Sequence, residues 1–208
     1  MSLRLEFVET KAARYACERY HYSKCLPRGK LVSVGVWEYG LFIGCVIFSR
    51  GARSIGSKFR VADTQIAELA RIALTSHESA CTRIVRIAIK KLREVFTGIE
   101  VLVSYADSMQ SHHGGIYQAG NWVYTGDTSP SKMYKAPNGK ILHSRIVSRT
   151  GYKAQFGSQK RVWKPEECKV IECTPKHRYA IAFSDSARHH LESMRVDARP
   201  KKYAGSKT

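Results

Sequence analysis

In "CTRIVRIAIKKLREVF" (81–96), Ile84, Val85, Ala88, Leu92, Val95 and Phe96 recur at helical spacing, with Lys and Arg between them. Such a stripe predicts an amphipathic helix laid over a core, and Gly98 stands where a helix terminator is expected. "TKAARYACERY" (10–20) predicts a second helix, capped by Thr10, with Ala13, Ala16, Cys17 and Tyr20 turned inward. The runs "LVSVGVW" and "LFIGCVIF", joined through Glu38-Tyr39-Gly40, predict a hairpin. "IAELARIALT" (66–75) alternates well enough for a strand, with Glu68, Ala70, Ile72 and Leu74 on one face and Arg71 on the other. "IEVLVSY" (99–105) is nearly continuous in apolar residues and predicts a buried strand.

The stretch "HHGGIYQAGNWVYTG" (112–126) then combines two adjacent histidines, a double glycine and several aromatics. It predicts a short helix from His112 to Ala119, stopped by Gly120, and a following strand in which Trp122 and Tyr124 pack the sheet. Past residue 127 the pattern weakens into polar and basic loops, with a strand at 176–183 and a helix at 186–194. Helices alternate with strands, so the fold class is α/β (α+β), a mixed sheet flanked by helices. The expected organisation is one catalytic-size domain over 1–183, then a C-terminal helix and a basic tail, disordered from Arg195, over 184–208.

Charge changes the picture most. Thirty-five Lys and Arg stand against seventeen Asp and Glu in 208 residues, a formal net charge of +18. An excess of that size points to a polyanionic partner, either nucleic acid or an acidic membrane surface. The longest apolar run, Leu41 to Phe48, is too short to cross a bilayer, which takes about 20 residues. The first ten residues hold no apolar signal core. The expectation is therefore a cytoplasmic protein, with no membrane contact and six reduced cysteines. The oligomeric state stays open, a homodimer included.

Five motifs in order, "HYSK", "ELARIAL", "LVSYAD", "HHGGIYQAGNW" and "KHRY", together resemble the phage Mom family. "IYQAGNW" also resembles the closing signature of the GNAT acyltransferase superfamily. The resemblance implies a GNAT-like sheet and a transferase. Its expected reaction adds an acetamido (carbamoylmethyl) group to the exocyclic amine of adenine in double-stranded phage DNA, protecting it from host restriction. It implies acetyl-CoA or a related small acyl donor, and iron as a possible metal. GNAT enzymes cradle the donor's pyrophosphate on a glycine-containing loop, but "LTSHESACTR" (74–83) has no glycine. Ser79, Thr82 and Arg83 at a helix N-terminus are the expected cofactor contacts, with Arg71 on the strand before it expected as a phosphate contact or in an ion pair.

By the same resemblance Tyr117 matches the tyrosine that protonates a leaving thiolate, and Gly114 and Gly115 let the backbone approach the cofactor. His21 and Tyr22, from "HYSK", are expected beside the adenine. Asp107 follows the buried strand, where a carboxylate would take a proton or a metal; capping the next helix is the alternative. Ser104 either hydrogen-bonds substrate or packs the strand. Neighbours on a helix point roughly 100° apart, so His112 and His113 are not both expected to face the site, and His112, five residues after Asp107, is preferred. His21, Asp107 and His112 form the candidate iron set, two histidines and one carboxylate. Lys24, Arg28, Lys30, Arg50, Arg53, Lys58 and Arg60 are expected to contact DNA phosphates. Two other readings stand beside this one: an acetyltransferase acting on transfer RNA or a ribosomal protein, and a non-catalytic nucleic-acid-binding protein.

Overall fold

The computed structural model describes residues 2–51, 55–144, 146–155 and 157–201. A seven-stranded sheet runs through it in the order β1-β2-β3-β4-β5-β12-β6. The strands are β1 (Leu3–Phe7), β2 (Leu31–Glu38), β3 (Leu41–Ser49), β4 (Ile66–Leu74), β5 (Val101–Ala106), β6 (Val123–Asp127) and β12 (His177–Ala182). All neighbours are antiparallel except β4 and β5, which run parallel. The mixed sheet expected from the pattern is present, with β1 added at its edge. "LRLEF" is five residues long with only Leu5 buried, so its alternation gives little signal.

One face of the sheet carries α3 (Cys81–Val95), whose Ile84, Val85, Ala88, Ile89 and Leu92 are buried. Burying each of the larger of these side chains contributes roughly 1.5–3 kcal/mol. They pack on Val34, Val36, Val46, Phe48, Leu69 and Leu102, alternate residues of β2 to β5. The other face carries α1 (Thr10–Tyr20), with Ala13, Ala16 and Cys17 against Cys45, Ile47 and Ala73. Farther along that face, α2 (Ile55–Lys58) and α5 (Asp185–Ser193) enclose Phe59, Val101, Val103, Ala180, Ala187 and Leu191. Thr10 is the first helical residue and not the cap; Glu9 holds the cap position without a side-chain bond. α5 starts from Ser184, whose hydroxyl accepts from the Ala187 amide.

Two local departures shape the centre. Ile47 pairs with Arg71 and Phe48 with Leu69, so Ala70 is an extra residue, a bulge in β4. A bulge shifts the two-residue side-chain period by one, which puts Arg71 on the same face as Glu68, not the opposite one. And β4 pairs with β5 only through Ile66, Ala67 and Glu68. Beyond Glu68 the strands part, and Ser104 Oγ spans the gap to the Leu69 carbonyl at 2.7 Å.

The region expected as loops forms strands. β7 (Ser131–Lys135), β8 (Ile141–His143) and β11 (Lys169–Cys173) make a three-stranded sheet, and β9 (Tyr152–Gln155) pairs with β10 (Ser158–Arg161). These strands are short and largely exposed, so no buried face imposes an apolar period on them. The tail is also anchored at its start: the Val196 amide donates to the Tyr124 carbonyl, and Gln118 Nε2 to the Pro200 carbonyl. Residues 202–208 lie outside the described residues. No helix among the described residues is long and apolar enough to cross a membrane.

Candidate active site

Where β4 and β5 part, two cavities approach each other. The first, about 720 Å³, lies between α3, α4 (Gly115–Ala119) and the end of β12. Thr82, Arg83, Arg86, Lys90 and Arg93 line it, with Trp122 and Phe183 as apolar wall. The second, about 760 Å³, is bounded by the end of α1, by Glu68 to Ile72, and by residues 111–117. Ile116 and Tyr117 line both. Both volumes suit small organic ligands.

Tyr117 is held by ring contacts with Trp122 and Tyr179, each 5.3 Å between centroids. Its Oη lies 2.7 Å from Ser104 Oγ, which lies 2.7 Å from the Leu69 carbonyl. A serine has one hydrogen, so this hydroxyl can turn from the carbonyl to the phenol oxygen as that oxygen gains negative charge. Burial pushes the Tyr117 phenol up to about 12, so it keeps its proton at neutral pH. Ser104 is thus a positioning residue for Tyr117.

His21 follows the last turn of α1. Its Nδ1 accepts from the Ser23 amide at 3.1 Å and lies 2.8 Å from Ser23 Oγ. Burial, then the Arg71 charge and other cations, lowers its pKa to about 4. The ring is therefore neutral, and because Nδ1 accepts, Nε2 carries the hydrogen. The Tyr22 ring packs 4.3 Å from His21 and edge-on to His112 at 5.3 Å. Burial and the neighbouring Asp107 push the Tyr22 phenol up to about 12.

Asp107 does not offer a free carboxylate. It accepts from the Met109 amide, capping the 3-10 turn Ser108–Gln110, forms an ion pair with Lys176 Nζ at 3.0 Å, and lies 3.3 Å from Tyr22 Oη. Sequence reasoning passed over Glu68, the carboxylate that does line the second cavity. Burial raises its pKa, and Arg71 and Lys176 oppose the shift. Arg71 lies on the same wall: Nη1 donates to the Ala70 carbonyl at 2.7 Å, and Nε is buried without a partner among the described residues. A polar residue in an otherwise apolar strand was the available signal for Glu68; Tyr105 and Lys176, also lining residues, stood inside the motifs "LVSYAD" and "KHRY" without being singled out.

Several expectations are corrected. Arg71 is not with Thr82 and Arg83: it lines the second cavity and they line the first, because the bulge turns it toward α1. Ser79 is buried, and the amides of Glu78 and Ser79 both donate to the Glu38 carboxylate, at 2.8 and 2.9 Å. Those two amides are not available to a phosphate. His112 and His113 both line the second cavity, since the helix starts only at Gly115 and Gly114 turns the chain at φ +82°. A Cβ on Gly114 would stand 2.2 Å from the Tyr179 ring, and one on Gly115 2.7 Å from His113 Nε2. These glycines make room for the Tyr179 and His113 rings on the wall of the second cavity.

The iron set does not fit. A ligating histidine offers one bare nitrogen while the other donates, but His21 Nδ1 is used by an amide and Nε2 holds the hydrogen. Asp107 is used by Lys176 and the turn. Among the described residues no group of three His, Cys, Asp or Glu side chains converges on a metal-sized site. The first cavity fits a phosphate-bearing donor better: Arg83, Arg86, Lys90 and Arg93 face Glu94 alone as opposing charge among its lining residues. Of the expected phosphate contacts, Lys24, Arg28, Lys30, Arg50, Lys58 and Arg60 are exposed, on the α1–β2 and β3–β4 connections. Arg53 lies outside the described residues.

The profile described as the Mom protein family matches residues 2–204. The chain is 23% identical over 203 residues to methylcarbamoylase mom of Escherichia phage Mu, covering 95% of this chain and 83% of that protein. Among solved structures it is similar to an IAA acetyltransferase from Bacillus cereus, at TM-score 0.48 and 13% identity, covering 88% of this chain and 100% of that one. An acetyltransferase from Bacillus subtilis, solved in complex with CoA, is similar at TM-score 0.48 and 14% identity, with the same coverage. The chain belongs to the Mom protein family.

Proposed function

We propose that this chain is a transferase that adds an acetamido (carbamoylmethyl) group to the exocyclic amine of adenine in double-stranded DNA. The observation that carries the reading is the pair of cavities meeting at Tyr117, one lined by cations and one by aromatics with a half-buried carboxylate. The relative from phage Mu is named for a methylcarbamoyl transfer, which supports the same product class. Such a product would protect phage DNA from host restriction.

In this reading the first cavity takes a phosphate-bearing donor that carries a carbamoylmethyl group, its methylene carbon bonded to a leaving group; acetyl-CoA itself would transfer its carbonyl carbon and leave an acetyl adduct instead. The donor supplies the activated carbon, and Thr82, Arg83, Arg86, Lys90 and Arg93 hold its anionic end. The adenine amine is engaged in base pairing, so the base leaves the stack and enters the second cavity. Tyr22, between His21 and His112, offers it a stacking face. His21 Nε2 and Arg71 Nε offer hydrogen-bond donors. As the amine nitrogen bonds the methylene carbon of the carbamoylmethyl group, its proton passes to Glu68. The bond from that carbon to the leaving group breaks, and Tyr117 returns a proton to the leaving group. Burial serves both transfers, raising the Glu68 carboxyl above its ordinary range and keeping the phenol protonated.

Mass spectrometry of nucleosides from the DNA of bacteria expressing the chain tests this. The expected result is a deoxyadenosine adduct heavier by one acetamido group. Unmodified deoxyadenosine beside acetylated transfer RNA would overturn it.

A further inference from the structure

Residues 128–176 leave the main sheet after β6 and return to it at β12, carrying β7 to β11. They hold eleven Lys or Arg against three Glu, so under a quarter of the chain carries eight of its eighteen excess positive charges. Their two ends are pinned together: the Thr128 amide donates to the Lys176 carbonyl at 2.9 Å, and the Lys176 amide to Thr128 Oγ1 at 3.0 Å. Lys176 lines the second cavity and pairs with Asp107, so the insertion rises from the rim of that cavity.

The charge is arranged in an unusual way. Lys135 of β7 stands directly opposite Lys169 of β11, and Lys153 of β9 directly opposite Lys160 of β10. Residues opposed in an antiparallel pair have Cβ atoms about 5 Å apart, and like charges there destabilise the sheet. The insertion has no carboxylate left to relieve them. Its three glutamates, Glu166, Glu167 and Glu172, are taken by Lys164, Arg161 and Lys132. Lys135, Lys160 and Lys169 are exposed and Lys153 is half-buried. None of the four has an ion-pair partner among the described residues. Two separate sheets of one small insertion thus each carry a self-repelling lysine pair, a cost that an external polyanion removes.

We propose that the insertion 128–176 is a docking surface for the phosphate backbone of duplex DNA, with the Lys135/Lys169 and Lys153/Lys160 pairs each receiving phosphate. This rests on the reading of DNA as the acceptor, and it places a DNA contact beside the base cavity that the basic residues at 24–60 do not account for. The phosphates held this way carry no sequence information; they set where the duplex lies relative to the cavity.

The test uses the full chain and a fluorescent duplex, with affinity measured across a range of NaCl concentrations. Changing Lys135, Lys153, Lys160 and Lys169 together to Gln should flatten the slope of log affinity against log salt by about 0.9 for each phosphate no longer neutralised. The melting temperature should stay or rise, since repulsion is removed. Lys135→Glu alone creates an opposite-charge pair with Lys169, so it should melt higher and bind DNA more weakly, a combination a purely structural lysine would not give. If the quadruple variant fails to fold, the Lys135→Glu and Lys160→Glu variants are read in its place. An unchanged slope in folded variants overturns the proposal. So does lysine-dependent binding to phosphatidylserine vesicles with none to the duplex. Modified adenine with an unchanged slope would sink this docking surface alone. A lysine-dependent slope with no modified adenine would sink the proposed reaction and leave the surface standing.

Discussion

Glu68 and Arg71 lie on the same face of β4, because Ala70 between them has no counterpart in the ladder to β3. The extra residue changes which side chains can share a cavity. Without it, a side chain three positions from Glu68 would point to the α3 side; with it, the guanidinium stands near enough to oppose the rise that burial imposes on the carboxyl. A charged pair inside an apolar strand is costly to bury unless it is used or compensated. The same bulge aligns with the parting of β4 from β5 just past Glu68, where the cavities meet.

Glu68→Gln keeps the shape and removes the titration. Because the folded-state pKa of Glu68 is raised above 4.5, the charged form is disfavoured in the fold. Its contribution is therefore present at low pH and lost as pH rises through the folded value. The Gln variant should gain in melting temperature relative to wild type as pH rises over that range, while adenine modification is lost at every pH. Wild-type modification should rise with pH along a limb displaced above the ordinary glutamate range. A Gln variant with wild-type modification would remove Glu68 from the chemistry.

Tyr117→Phe deletes one hydroxyl and leaves the ring packing with Trp122 and Tyr179. Stability should change by no more than about 1 kcal/mol, and modification should fall to background. Ser104→Ala should reduce the rate by less and leave donor binding unchanged, which a KM-against-kcat comparison would read. Full activity in Tyr117→Phe would place proton donation elsewhere.

His21 takes up its proton at a lower pH than an exposed histidine. Its pKa falls from 6.5 to about 4 on folding, so the neutral ring is favoured in the fold. The stability it supports is complete above pH 6.5 and is lost as pH falls toward 4, on the order of 3 kcal/mol in all. Thermal melts between pH 7 and pH 4 should show that loss in wild type and much less of it in His21→Asn. Parallel acid limbs in the two proteins would show that another group is responsible.

Gly114→Ala combines a left-handed backbone at φ +82° with a Cβ placed 2.2 Å from the Tyr179 ring. Gly139→Ala shares the backbone, at φ +80°, but meets nothing within 4 Å. The second change should cost about 1–2 kcal/mol, the strain alone. The first should cost more than about 3 kcal/mol, because a buried ring must also move. Denaturant melts of the two variants side by side measure the difference, and equal costs would show that Tyr179 yields freely.

What the sequence determined by itself is the set of elements whose period a buried face enforces. α3, β2, β3, β4, β5 and the Trp122–Tyr124 segment were legible because their side chains meet a core, and a core demands repetition every two or 3.6 residues. Tyr117, His21, Tyr22, Thr82 and Arg83, candidates from the sequence, do stand on the cavity walls. The tertiary structure alone decided the rest. The Ala70 bulge moved Arg71 from one face to the other, a register change that alternation in a single strand does not reveal. Glu38 reached across 40 positions to take the amides of Glu78 and Ser79, and Lys176 reached back to occupy Asp107. Each depends on which strands lie side by side, a matter of topology and not of local pattern. The insertion's strands were hidden for the same reason: with both faces largely wet, only pairing between distant segments makes them strands, and only that pairing sets lysine against lysine.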